Sequence, residues 1–261
     1  MKTTVMPAST PKTHAFFSLR WLGTTLLVLM AVAVMVRLGV WQLDRLGQRR
    51  AQNALILQNA SAPVLDLNRA LIQGKTDWKS QAFRLAEASG VYLHEEEILL
   101  LNQVWEGQPG YHLVTPLRIS GTDAVILVDR GWIPLNQADE AARAVYHLNG
   151  EVRLQGRLMP SQAEPRWGGG GDPQIPEGGR LPAWKWLNVE RISQQVSGNV
   201  LPVYLLELSE NATLTLPYRA DTSIEVSEGS HLSYALQWFS FALILLIGYP
   251  FYVRKQLSQP R

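Results

Sequence analysis

His231-Leu-Ser-Tyr234-Ala-Leu-Gln-Trp238-Phe239 sets an imidazole, a phenol and an indole at i, i+3 and i+7, one face of a helix. An imidazole at the start of an apolar helix, above aromatic rings, has the chemistry to ligate a haem iron. The porphyrin would lie between helices with its propionates towards water. On spacing alone an interfacial histidine that caps or anchors the helix is the preferred reading of the pattern. A second constellation is Leu127-Val-Asp-Arg-Gly-Trp-Ile-Pro134. Here a strand ends in the acid–base pair Asp129 and Arg130, Gly131 allows a sharp change of direction, and the Trp132 indole follows. The structural reading is a strand end braced by hydrogen bonds. The functional reading has Arg130 and Trp132 present a cation and an aromatic plane to a partner or to a porphyrin propionate.

Other chemistries find no support. The chain has no cysteine, which removes disulfides, a thiolate nucleophile, iron–sulfur clusters and cysteine-based zinc sites. His94-Glu-Glu-Glu-Ile98 matches a metalloprotease helix only at its first two residues, because Ile98 stands where the second histidine belongs. The Gly168–Gly171 run lacks the Lys-Ser/Thr of a phosphate loop, and no Gly-x-Ser-x-Gly elbow occurs. Any metal site would need scattered histidines; His14, His94 and His147 read as exposed or structural. With no nucleophile–base pair the sequence does not read as an enzyme. A net charge of +2 is too small for a nucleic-acid binder. Asn59-Ala-Ser61 and Asn211-Ala-Thr213 match the glycosylation sequon, a match frequent by chance.

The elements that must position these residues follow from charge and hydropathy. All 22 acidic residues fall between Asp44 and Glu228, with 17 Lys and Arg, so that stretch carries −5 while both ends are basic and acid-free. Each end holds an apolar run. Trp21–Val36, bounded by Arg20 and Arg37, reaches spanning length with its flanks if those arginines snorkel. Leu232–Val253 carries no charge and ends against Arg254-Lys255, with Tyr234, Trp238, Tyr249 and Tyr252 as an aromatic belt. No small-x-small cleavage site follows the first run, which argues for a retained anchor over a signal peptide. The division expected is a cytoplasmic tail (1–17), a first span (18–43), a periplasmic body (44–230), a second span (231–253) and a cytoplasmic tail (254–261). The purely basic flank of the second span puts both termini in the cytoplasm.

Within the body the pattern Leu46, Ala51, Leu55, Leu57 continues a helix that Pro63 ends, and a helical turn follows near Leu67–Ile72. The runs Ala82–Ala88, Gly90–Leu93, Ile98–Gln103, His112–Ile119, Ala124–Asp129, Glu151–Met159 and Leu201–Leu208 are strand-like. Asn136 would cap a helix through Val145, and Asn188 another closing at Gly198. Residues 160–182 form a Gly/Pro-rich loop. The fold expected is two transmembrane α-helices flanking a mainly antiparallel barrel- or sandwich-like β domain with a few helices.

Four ordered motifs resemble the surfeit-locus assembly factors of cytochrome oxidase biogenesis. They are Gly39-Val-Trp-Gln-Leu-Asp-Arg45 at the end of the first span, Gly107-Gln-Pro-Gly-Tyr-His-Leu-Val-Thr-Pro116, Leu127–Pro134 and His231–Phe239. The likeness runs from about Arg20 to Tyr252. It implies a two-span protein of the bacterial inner membrane that binds haem a and helps it reach subunit I of the oxidase. His231 would be the axial ligand, Tyr234 and Trp238 would lie beside it, and haem a synthase and membrane lipid would be further partners. The alternative is a cofactor-free adaptor that stabilises oxidase assembly intermediates. The family commonly has Asn where Ser230 stands, often Asn at the Asp129 position, and Thr where Gln237 stands.

Overall fold

The computed structural model describes residues 19–74, 77–163, 170–209, 215–219, 224 and 226–258. The chain divides into two compact units, residues 1–53 with 226–261, and residues 54–225.

The first unit is a helix pair. Helix α1 runs Leu19–Ala60 without a break, its last turns belonging to the second unit, and a helix at the other end of the chain runs His231–Ser258. Both are long and apolar enough to cross a membrane. Their outward side chains are greasy and uncovered, with Leu22, Leu26, Leu27, Ile244 and Phe251 all more than half exposed. That suits a lipid surround, and the pair fits a two-span membrane protein. The less exposed positions of α1 include Trp21, Thr25, Val28, Val32, Met35, Gly39, Gln42 and Leu46, with Ala31 and Leu38 beside them. The first eight recur in alternate steps of four and three, the seam of a left-handed helix pair. His231, Ala235, Trp238, Ala242, Leu245 and Tyr249 repeat the same steps on the second helix. The helices are antiparallel: the Phe239 ring packs over Gly39, and far along the pair Tyr249 Oη meets Thr25 Oγ1 at 2.7 Å. Thr25 spends its own hydroxyl proton on the Trp21 carbonyl, so the tyrosine donates.

The second unit is a strand-rich barrel. Its strands are β1 (Leu65–Asp66), β2 (Leu85–Tyr92), β3 (Ile98–Trp105), β4 (Gln108–Ile119), β5 (Ala124–Pro134), β6 (Glu151–Pro160), β7 (Ala183–Trp184) and β8 (Asn199–Glu207). The order is β1-β2-β6-β8-β5-β4-β3-β7, and β2 also pairs with β4 through Gly90↔Ile119 and Tyr92↔Leu117, closing five strands into a ring. Most pairings are antiparallel, but β5–β8, β1–β2 and β3–β7 are parallel. Leu117, Ile119, Ile126, Val128, Leu158, Val203 and Leu205 fill the interior. The other face of β5 is covered as well, by Trp184, Leu187 and Ile192 against Val125 and Leu127. This is why β5 reads as an unbroken apolar run rather than an alternation. Short helices α2 (Leu67–Ile72), α3 (Glu140–Arg143) and α4 (Val189–Ile192) decorate the barrel, so the terminal His231–Ser258 helix is α5. Asp66 caps α2 by accepting from Arg69 N at 3.0 Å, and Asn188 caps α4 by accepting from Arg191 N at 3.1 Å.

Several expectations shift. The runs at 82–88 and 90–93 are one strand, because Gly90 sits where β2 is held on both sides, by Val152 and by Ile119. β4 begins four residues early, at a tight hairpin whose two turn residues, Glu106 and Gly107, both take positive φ. β5 does not end at Asp129. Arg130 and Gly131 together oppose Leu113 of β4, a bulge that lets pairing resume at Trp132↔His112. The helix expected from Asn136 to Val145 is broken into a turn at Leu135–Gln137, α3, and a turn at Ala144–Tyr146. The carbonyls that follow bond side chains from elsewhere: Tyr146 O takes Arg130 Nη2 at 2.6 Å and Leu148 O takes His94 Nε2 at 3.0 Å. His14, Asn211 and residues 164–169 of the Gly/Pro loop lie outside the described residues.

Candidate functional site

His231, Tyr234 and Trp238 lie on α5 of the helical unit, whereas Arg130 and Trp132 lie on β5 of the barrel. His231 is half-buried at the mouth of the helix seam. Its Nδ1 is 2.9 Å from Gln42 Oε1 of α1. Among the described residues no other group bonds the ring, and Nε2 has no partner there. Gly229 lies beside this nitrogen: a side chain's first carbon there would stand 3.7 Å from Nε2. Tyr234 is exposed, and Trp238 meets Phe241 edge-on with ring centroids 6.3 Å apart.

What fixes the start of α5 is a set of α1 side chains one to three turns beyond Gln42. Arg50 grips Glu228 with two bonds of 2.9 Å, a forked pairing that sets direction as well as distance. Arg49 Nε and Asn53 Nδ2 both donate to the Ser227 carbonyl, at 3.0 and 3.1 Å. Three contacts on the two residues before Gly229 thus set where His231 enters the seam.

In the barrel, Arg130 is 1 % exposed and Trp132 3 % exposed, so neither is presented at the surface. The Arg130 guanidinium lies 4.7 Å over the Tyr92 ring and donates to Tyr146 O. Glu97 is shared between Arg130 and Arg143, at 3.7 and 3.6 Å, and accepts from Thr115 Oγ1 at 2.8 Å. Burial pushes the Glu97 carboxyl up from its ordinary value despite the hydroxyl and the two guanidiniums. Asp129 accepts from Gly131 N at 3.1 Å and pairs with His112 Nδ1 at 2.9 Å. Trp132 stacks on Tyr218, 9° from parallel, and exchanges both backbone bonds with it. Bracing is therefore what the geometry gives these residues.

His94 and His147 stack 4.1 Å apart, and with Glu97 they bring three possible ligand atoms within 4.8 Å of one another. The surroundings oppose a cation. Glu97 is already flanked by two guanidiniums, and burial together with His94, Arg130 and Arg143 holds His147 below its ordinary pKa.

Sequence reasoning missed Gln42, Glu97 and Arg143. Gln42 had a signal, since it is a carboxamide on an otherwise apolar seam. Glu97 had a weaker one, as the last acid before an apolar strand. Arg143 had none, because its neighbours in sequence say nothing of a buried partner on another element.

The model of the SURF1 family matches residues 29–243. The chain belongs to the SURF1 family. Similar proteins include a SURF1-like protein of Rickettsia felis, 28 % identical over 90 % of this chain and 99 % of that one. A SURF1-like protein of Monosiga brevicollis is 27 % identical over 84 % and 83 %, and one of Drosophila melanogaster 24 % over 82 % and 72 %. The matched SURF1 span takes in both the Gln42 turn of α1 and the His231 turn of α5, together with the whole barrel.

Proposed function

We propose that this protein is a cytochrome oxidase assembly factor that carries haem a and assists its transfer to subunit I. It would lie in the bacterial inner membrane with the barrel in the periplasm and both termini in the cytoplasm, receiving its cargo from haem a synthase. The observation that carries the reading is His231: one ring nitrogen is bonded to Gln42 and the other is unpartnered beside Gly229. That is the condition of an imidazole ready to take an axial position on iron. Bound haem a supplies an iron that accepts this nitrogen and an apolar macrocycle that seeks burial. The chain's part is to hold the imidazole at the mouth of the seam, with Tyr234 and Trp238 one and two turns further along the helix as aromatic surface. The packing of Phe239 over Gly39 closes the seam beyond that point, so the macrocycle is not held between the helices at that level.

Co-expression with haem a synthesis, followed by detergent purification and an absorbance spectrum, tests this. The wild type should carry the haem a bands, and His231→Ala should lose or shift them with the same amount of protein in the membrane. An unchanged spectrum and stoichiometry in His231→Ala would reject ligation by this residue. A wild type free of haem would favour the cofactor-free adaptor.

A further inference from the structure

We infer that Gln42 is a positioning residue for His231: it fixes the imidazole proton on Nδ1 and so makes Nε2 the free ligand nitrogen. The inference rests on the haem-carrying reading for its purpose, but not for its geometry. A neutral imidazole carries one proton on two nitrogens, and the bond made by one nitrogen decides which of them keeps its lone pair. Gln42 Oε1, 2.9 Å from Nδ1, is an acceptor and calls for Nδ1–H. A neutral ring bonded in this way presents a bare lone pair at Nε2. Residues that ligate metals are commonly oriented through such a bond, and its loss weakens metal affinity about 10- to 100-fold.

The placement of Gln42 is specific. It occupies the seam position between Gly39 and Leu46, both buried, and is itself half-buried. Its carboxamide therefore carries a cost in that apolar setting unless its oxygen is used. The next positions on the same face of α1 hold the start of α5: Arg49 and Asn53 both reach the Ser227 carbonyl. One face of one helix thus sets both where His231 stands and which way its ring is protonated. The Arg50–Glu228 pair sets only the first.

Nitrogen-15 imidazole spectra of the full-length protein in detergent, without haem, test the tautomer directly. The neutral His231 ring should carry its proton on Nδ1 in the wild type and in Gln42→Glu, and shift towards Nε2 in Gln42→Leu and in Gln42→Asn, whose chain is one methylene short. A wild-type ring protonated on Nε2 overturns the inference whatever haem does. Titration with haem a gives the functional arm. Gln42→Leu should bind about 10- to 100-fold more weakly and show a lower iron–histidine stretching frequency in the reduced form, and Gln42→Glu a higher one. If His231→Ala abolishes binding while Gln42→Leu matches the wild type in affinity and stretching frequency, the positioning role fails and ligation stands. If His231→Ala binds as the wild type does, ligation fails and the tautomer alone decides the role of Gln42. Should Gln42→Leu not accumulate, Gln42→Asn carries the same comparison.

Discussion

Arg130 Nη1 stands 3.7 Å from Glu97 Oε2, with each side chain 2 % exposed. The separation is too long for a hydrogen bond, and the same carboxylate serves Arg143 at 3.6 Å. One buried anion is therefore shared by two guanidiniums. Of the Arg130 nitrogens, Nη2 has the Tyr146 carbonyl, while Nε and Nη1 have no hydrogen-bond acceptor among the described residues, so the shared carboxylate and the Tyr92 ring offset the burial of the cation.

Glu97→Gln keeps the shape and the reach to Thr115 but strands both guanidiniums. Removing one partner of a buried pair costs about 3–5 kcal/mol, so the purified protein should melt well below the wild type. Replacing Glu97 and Arg130 together by Gln and Met should recover part of that loss. A melting temperature for Glu97→Gln within a degree of the wild type would mean that the pair contributes nothing.

Gly131 has φ +111°, and the first carbon of any side chain there would collide with the Tyr218 carbonyl. That carbonyl cannot move freely, because it accepts from Trp132 N at 2.9 Å. Gly131→Ala should therefore lower the melting temperature through backbone strain of about 1–3 kcal/mol, and Gly131→Glu should reduce the steady-state amount of protein by forcing a charge against the Tyr218–Arg219 backbone beside the buried Trp132. Immunoblots of membranes check this. Normal abundance of Gly131→Glu with failed oxidase assembly would make the position a partner contact instead.

The parts of the fold that follow from local chemistry were legible in the sequence. An uncharged run ended by Arg254-Lys255, a cap at Asn188 and strands of branched residues each declare themselves within a few residues. Ring closure was not legible, since it depends on β2 pairing with both β4 and β6, a relation between segments far apart in the chain. The bulge at Arg130–Gly131 looked like a strand end for the same reason: only the partner strand reveals that pairing resumes at Trp132. In the site, the helix face that His231 shares with Tyr234 and Trp238 was readable from spacing, whereas a ligand role for it came only from the family resemblance. Gln42 needed the partner helix, 189 residues away, to acquire a meaning beyond its motif.

The orientation proposed here has a direct test. Beyond the second span the flanking charges are Arg254, Lys255 and Arg261, with no acid, a bias that keeps this end in the cytoplasm. The arginines just after the first span point the other way by count, yet Arg49 and Arg50 are bonded to Ser227 and Glu228 and have a structural reason to be there. Alkaline phosphatase fused after residue 150 should be active, and fused after residue 258 inactive. The reverse pattern would sink the proposed topology.

His112 and Asp129 give the barrel a pH dependence of definite sign. Burial of the imidazole disfavours its cation, but the Asp129 carboxylate at 2.9 Å outweighs this by charge and by hydrogen bond, and the His112 pKa is raised above 6.5. A group whose pKa is higher folded than unfolded binds its proton more tightly in the native state. Its contribution is complete below the unfolded value near 6.5 and fades as pH rises through the folded value. Replacing it by Gln keeps a donor near Asp129 but removes the titration. The melting temperatures of wild type and His112→Gln, followed from pH 5.5 to 9, should lie furthest apart at the acid end and converge as the pH rises. Working with the difference cancels the opposite demands of Glu97 and Glu207, whose raised values are common to both proteins. A difference that is flat with pH, or that widens towards alkaline pH, would mean that His112 stays neutral in the folded barrel and that its bond to Asp129 is an ordinary one.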